Sequence, residues 1–250
     1  MYALGKKPVV EDSRDFKLSS YMVTLPTVPT RFGHGTLWTD WGMLGNDNYG
    51  DCVWASADHQ TMLFTRLGPT RKGAVFTVHN TLSDYAAVTG FDPLDPSTDN
   101  GTDVRQALSY RRKTGVIDGT GKRHRIGAYV SIPPKDWKLM LQAVYIFGVA
   151  EIGFEFPSTA FDQFGRGVSW DVVPGATIEG GHDVPIVGSM TSSKRATCIT
   201  WARRQEFTRA FYEKYNDETW VPLSLEILSS DGKGLHGVDL ATLRADLAAL

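Results

Sequence analysis

At 250 residues, with 42% hydrophobic and 22% charged side chains and 25 glycines, the chain can bury one substantial core or two lobes that share a cleft, which excludes disorder and a coiled coil. A formal charge of -2 argues against a nucleic-acid binder, because neutralising phosphates takes a clear basic excess; the short clusters Arg111-Arg112-Lys113 and Lys122-Arg123-His124-Arg125 read as solvated faces. The two cysteines, Cys52 and Cys198, make no disulfide framework, the N-terminus lacks a signal-peptide run, and no window reaches the about 18 apolar residues of a membrane span, so the expectation is a cytoplasmic protein.

Residues 1–40, with "TLPTVPTRFGHG", read as an extended arm crossing the surface of a single domain over 41–250. The stretch "CVWASADHQTMLFTRL", from Cys52 to Leu67, lacks glycine and proline, is apolar on several sides, and predicts a buried helix that "LGPTRKG" ends. Helical spacing returns at Leu82 to Val88 and at Val104 to Lys113. After "KTGVIDGTGKRH" the character changes. "RIGAYVSI" alternates like a strand and "PPKDWKLMLQAVYIFG" opens like a helix. "VAEIGFEF", "HDVPIVGSM", "RATCITWA" and "VPLSLEIL" are strand candidates, and "GVDLATLRADLAAL" is a short amphipathic helix. The aromatic-rich "TWARRQEFTRAFYEKYNDETW" reads as the body of the second lobe, with Arg203, Arg204 and Arg209 facing water. The fold class is therefore α+β, with a helical lobe over about 41–118 and a β-rich lobe over about 119–250 meeting at a cleft.

Cys52 stands where the glycine-rich "LGNDNYGD" passes into the first helix. A helix N-terminus presents unpaired N–H groups and about half a positive charge, which favours thiolate over thiol. The alternative is a small apolar residue in a core helix. His182, in "EGGHDVPIVGS", follows two glycines and opens an apolar strand 130 residues downstream, a separation at which a cysteine and a histidine can meet across a fold.

With "NDNYGDCVWA", "HDVPIVG" and "ITWA" in that order, the sequence resembles the papain-like cysteine peptidases, whose Cys-Trp-Ala helix start, histidine strand and Asn-Ser-Trp strand follow one another in the same way. "EDSRDFKLSS", "LPTVPTRF" and "GTDVRQALSYRRKTGV" resemble segments of bacterial and phage members. The resemblance implies a two-lobe fold with Cys52 as nucleophile and His182 as general base across the cleft. It places Asn46 at the oxyanion-hole glutamine, where an amide shorter by one methylene risks about 100- to 1000-fold in rate. Trp201 matches the tryptophan that shields the histidine. At the orienting asparagine the chain has Ile199, which has no hydrogen-bonding side chain. Asp183 would face the wrong way, so Thr200 with the register shifted by one, a backbone carbonyl or a water is left to orient His182. Asp51 and Asp47 oppose ionisation of the thiol, while the helix terminus and His182 favour it.

His59, seven residues after Cys52, reads as a packed core histidine, and Cys198 as a buried packing residue. No histidine or cysteine spacing suits a metal, and neither metal nor cofactor is expected. Two function classes follow. One is a thiol peptidase or amidase that cleaves a peptide-type amide of a peptide or protein substrate through a Cys52 thioester. The other is a papain-fold protein with weakened chemistry that binds protein partners in a phage particle or another assembly. Neither involves nucleic acid or a membrane.

Overall fold

A computed structural model of the chain describes residues 2–13, 15–20, 25–227 and 235. The predicted terminal helix over 237–250 lies outside the described residues. The first strand, β1 (Arg31–Gly33), belongs to the arm. Helix α1 (Cys52–Leu67) has the predicted limits and ends where the Gly68 N–H bonds to Phe64 O. Every residue from Cys52 to Thr65 is buried, so α1 has no water-facing stripe and its polar side chains must be satisfied inside the protein. They are: Asp58 accepts from Thr81 Oγ1 at 2.7 Å, Gln60 donates to Ser56 Oγ at 3.1 Å, and Thr61 donates to Ala57 O at 2.8 Å.

Helix α2 (Val78–Thr89) begins four residues before the predicted Leu82, because Thr77 and Asn80 close a capping box there. Helix α3 (Val104–Lys113) runs as predicted, with Asp103 accepting from the Gln106 N–H at 2.8 Å. A small hairpin of β2 (Val116–Ile117) and β3 (Arg123–His124) follows. The two basic clusters are not wholly solvated. Arg111 is 1% exposed, bonded to Glu151 at 3.2 Å and Gln60 at 3.0 Å, and Arg123 pairs with Asp84 at 3.0 Å. Arg111 thus joins α3, α1 and the sheet beneath the cleft.

The second half supplies β4 (Ile126–Ile132), α4 (Trp137–Phe147), β5 (Ala150–Pro157), α5 (Thr159–Gly165), β6 (Ile178–Met190), β7 (Arg195–Thr200), β8 (Arg203–Thr208), α6 (Arg209–Tyr215) and β9 (Asn216–Ser224). These strands form one antiparallel sheet in the order β4-β9-β5-β6-β7-β8, with β1 added on β6. The architecture is α+β: α1 lies against β6, α2 and α3 cover α1, and α4 packs on β5, β6 and β9. One apolar core surrounds α1, and an aromatic core built from Phe154, Phe156, Trp170, Phe207, Phe211 and Tyr212 fills the sheet lobe. Arg203, Arg204 and Arg209 face water as predicted.

Three strand limits differ from the sequence reading. β6 begins at Ile178, so His182 lies inside a strand that it was expected to open. Gly180 and Gly181, the two glycines before it, pair with Phe156 and Glu155 in the ladder. The "RATCITWA" strand stops at Thr200, and β9 starts at Asn216, earlier than "VPLSLEIL".

Candidate functional site

Cys52 opens α1 and His182 lies in the middle of β6, the strand against which α1 packs. Cys52 is 1% exposed and His182 is wholly buried. Side chains alternate along β6: His182 shares the aromatic core with Val184 and Ile186, while Asp183 points to the opposite face, toward α1 and Ser56. Asp183 therefore does not orient His182. Its backbone N–H lies beside the Cys52 thiol.

Thr200 is the β7 side chain that meets the imidazole. On β7, Cys198 belongs to the aromatic core and Ile199 to the core around α1, so Thr200 faces the same side as Cys198. Its Oγ1 lies 2.9 Å from His182 Nε2. Among the described residues His182 Nδ1 has no hydrogen-bond partner, and no hydrogen bond joins it to Cys52. In the tautomer that donates Nε2–H to Thr200, Nδ1 carries a bare lone pair.

Trp201 stacks on the imidazole at a ring separation of 4.6 Å and an interplanar angle of 19°. The edges of Phe154 and Phe156 close the ring in at 5.7 and 5.5 Å. What holds Trp201 there is a two-residue hairpin turn between β7 and β8, closed by the Thr200–Arg203 pair. Trp201 has φ 44° and Ala202 φ 65°. Both lie in the left-handed region that glycine and asparagine usually occupy in such turns, so the chain holds about 1–2 kcal/mol of local strain per residue at this corner. Without glycine or asparagine in "TWAR", the turn gives no sequence signal.

Residues 3–7 of the arm bond to both sides of the fold, and the Gly5 N–H lies at the Cys52 thiol. The Tyr2 ring stacks on Trp201 at 4.6 Å. Ala3 exchanges two bonds with Asn46: its N–H donates to Asn46 O at 3.2 Å, and Asn46 Nδ2 donates to Ala3 O at 3.3 Å. Gly5 O accepts from the Thr102 N–H at 2.7 Å, Lys6 N–H donates to Gly181 O at 3.0 Å, and Lys7 N–H donates to Thr102 O at 3.0 Å. Lys6 Nζ reaches Asp217 at 2.8 Å and Glu218 at 3.1 Å. This strap is bonded to both lobes. It lies so close that a Cβ at Gly5 would collide with Gly50 O, and one at Gly181 with Lys6 O. Sequence reading missed the strap, although the spaced glycines at 5, 50, 101, 153 and 180–181 are its trace.

Burial dominates the electrostatics. It pushes the Cys52 thiol up to about 12, with the charges of Asp183 and Asp51 adding to it and the N–H groups of Asp183 and Gly5 opposing it. Burial lowers His182 to about 3. The thiol and the imidazole are thus both neutral at pH 7 under the strap. Burial also pushes Asp51 and Asp183 well above the carboxylate range. Asn46 is buried, with its amide spent on Ala3 O and Tyr49 O. His59 packs inside the helical side, bonded to Trp41 O at 2.9 Å, and Cys198 packs in the aromatic core. Among the described residues no cluster of histidine, cysteine and carboxylate side chains suits a metal, and no helix is long and apolar enough to cross a membrane.

No protein-family model matches the chain, and no curated protein is significantly similar to it. Solved structures are similar. Xylellain, a cysteine protease from Xylella fastidiosa, aligns at a TM-score of 0.67 and 14% identity, over 90% of this chain and 97% of that one. A cysteine protease of Carica candamarcensis aligns at 0.60 and 14%, over 79% and 99%. A digestive procathepsin L from the larval midgut of Tenebrio molitor aligns at 0.61 and 12%, over 89% and 76%. With a helix-opening cysteine packed against a histidine strand in an α+β frame, the chain has the fold of the papain-like cysteine peptidases.

Proposed function

We propose that the protein is a cysteine peptidase or amidase of the papain type, latent while its strap is seated, and that Cys52 and His182 are its catalytic pair. In this reading Cys52 Sγ attacks the carbonyl carbon of a peptide-type amide as its proton passes to His182 Nδ1. That proton then goes to the leaving amine as the C–N bond breaks. Water hydrolyses the thioester and restores the thiol. The Cys52 backbone N–H and, once Ala3 withdraws, the Asn46 amide would hold the oxyanion. The observation that carries the reading is the Thr200 bond to His182 Nε2 beneath Trp201, which supplies the orienting group that Ile199 cannot.

The second reading is a papain-fold protein without turnover that serves as a binding component of an assembly, a phage particle among them. Full burial of the neutral pair and the Lys6 anchor favour it. A cytoplasmic or virion location fits either. Release of a fluorophore from peptide amides by full-length chain carrying Gly5→Val separates the two. Turnover lost on Cys52→Ser and on His182→Ala supports the enzyme, whereas a folded variant that forms no acyl-enzyme detectable by mass spectrometry with any peptide amide supports the binding protein.

A further inference from the structure

We propose that the track beneath Tyr2–Lys7 is the specificity site of this cleft, and that it selects an extended peptide in which a lysine follows a glycine. The inference rests on the reading of the cleft as a peptide groove and adds what that groove demands. Three features carry it. First, the main-chain bonds from Gly181 and Thr102 hold an extended backbone whatever its side chains. Secondly, the track narrows where Gly5 passes. A Cβ on the strap there would strike Gly50 O, and a Cβ on Gly101 would strike Gly5 O, so both walls and the occupant are reduced to backbone. Only glycine fits.

Thirdly, the next residue enters an acidic pocket. Lys6 has a side-chain exposure of 1%, and its Nζ lies between Asp217 and Glu218. A Cβ at Gly153 would collide with Lys6 Cε, so that glycine is the pocket wall that admits the lysine stem. Glu218 Oε2 is committed to Trp220 Nε1 at 2.7 Å, which fixes the carboxylate toward the pocket. Asp217 Oδ1 is buried and has no hydrogen-bond partner among the described residues. An apolar occupant would leave both carboxylates, Glu218 with 8% of its side chain exposed and Asp217 with 29%, without their cation, and sites built around such groups reject the analogue that lacks them by large factors.

The test uses full-length chain carrying Gly5→Val and Lys6→Glu, whose own strap can no longer seat, with circular dichroism to establish that it is folded. Labelled peptide Tyr-Ala-Leu-Gly-Lys-Lys is titrated by fluorescence anisotropy, which needs no catalysis. The expected result is saturable binding that weakens about 100-fold or more when the glycine is replaced by alanine, or the lysine after it by methionine. Equal binding of all three peptides would overturn the inference while leaving a peptide groove. Absence of binding by a folded chain whose Cys52 labels rapidly would overturn it too. Where the double variant fails to fold, full-length chain with Lys6→Met replaces it. Its Cys52 should alkylate at least about 10-fold faster than in the parent, an effect the Gly-Lys peptide suppresses and its Gly-to-Ala counterpart does not. Unchanged alkylation, or suppression by both peptides, would overturn the inference.

Discussion

Gly5→Val should convert a silent thiol into a reactive one. The substituted side chain cannot share space with Gly50 O, so the strap must leave the cleft or sit farther out. With the strap seated the thiol is pushed up to about 12, which leaves about one molecule in 10^5 ionised at pH 7. Relief of that burial lowers the thiol toward its ordinary 9.0 and raises the thiolate fraction by up to about 1000-fold, less what loss of the Gly5 N–H takes back. Iodoacetamide labelling at pH 7, read residue by residue by mass spectrometry, measures the effect. Cys198, wholly buried with its thiol also raised by burial, is the internal reference. We expect Cys52 to accelerate by at least about 100-fold while Cys198 stays unlabelled. An unchanged Cys52 rate in a folded variant would refute the strap's shielding role, and equal acceleration at both cysteines would show global opening in place of strap release.

Thr200→Val should strand His182 Nε2 in the core and cost about 1–3 kcal/mol, seen as a lower thermal midpoint, with Thr200→Ser restoring most of it. Ala202→Gly should relieve the left-handed residue beside Trp201 and stabilise the chain by about 1 kcal/mol in denaturant unfolding, the strain relief exceeding the entropic cost of glycine. His124 is bonded to Glu226 at 2.6 Å and to Asp118 at 2.9 Å, with Lys122 near Glu226 at 3.6 Å. Burial lowers its pKa, but the bonds to the two carboxylates outweigh that and leave it raised. Its contribution is therefore complete below the unfolded value of about 6.5 and lost as pH rises through the higher folded value. Relative to His124→Gln, the parent should lose denaturant resistance as pH rises above about 6.5 and through the higher folded value. Asp118 works in the opposite sense. Held down to about 2 by its bonds to His124 and Thr120, it contributes above its unfolded 3.8 and loses that contribution as pH falls through about 2.

Much of the frame was legible because periodicity and punctuation agree. α1 and α3 have the limits that glycine, proline and apolar spacing imply. The order of the cysteine, histidine and tryptophan segments pointed to the fold. The orienting group was legible only as one of several possibilities. Strand alternation makes Ile199 and Thr200 face opposite sides, but which of them meets His182 depends on a register shift between Ile186 and Gly188 that no local pattern encodes. The strap was illegible for a related reason. Its hydrogen bonds join residues 3–7 to positions 46, 102, 181 and 217–218, and on the strap each is made by backbone or by a lysine that reads as surface charge. Arg111 was misread in the same way, since its partner Glu151 is 40 residues away.

The pairing of Cys52 with His182 is tested most directly by the pH profile of Cys52 alkylation in full-length chain with Gly5→Val, run beside the same chain with His182→Ala. A working pair predicts rapid alkylation already at pH 6 to 7, lost when the imidazole is removed. A rate that climbs about tenfold per pH unit toward pH 9, identically in both proteins, is the behaviour of an isolated thiol and would contradict the pairing.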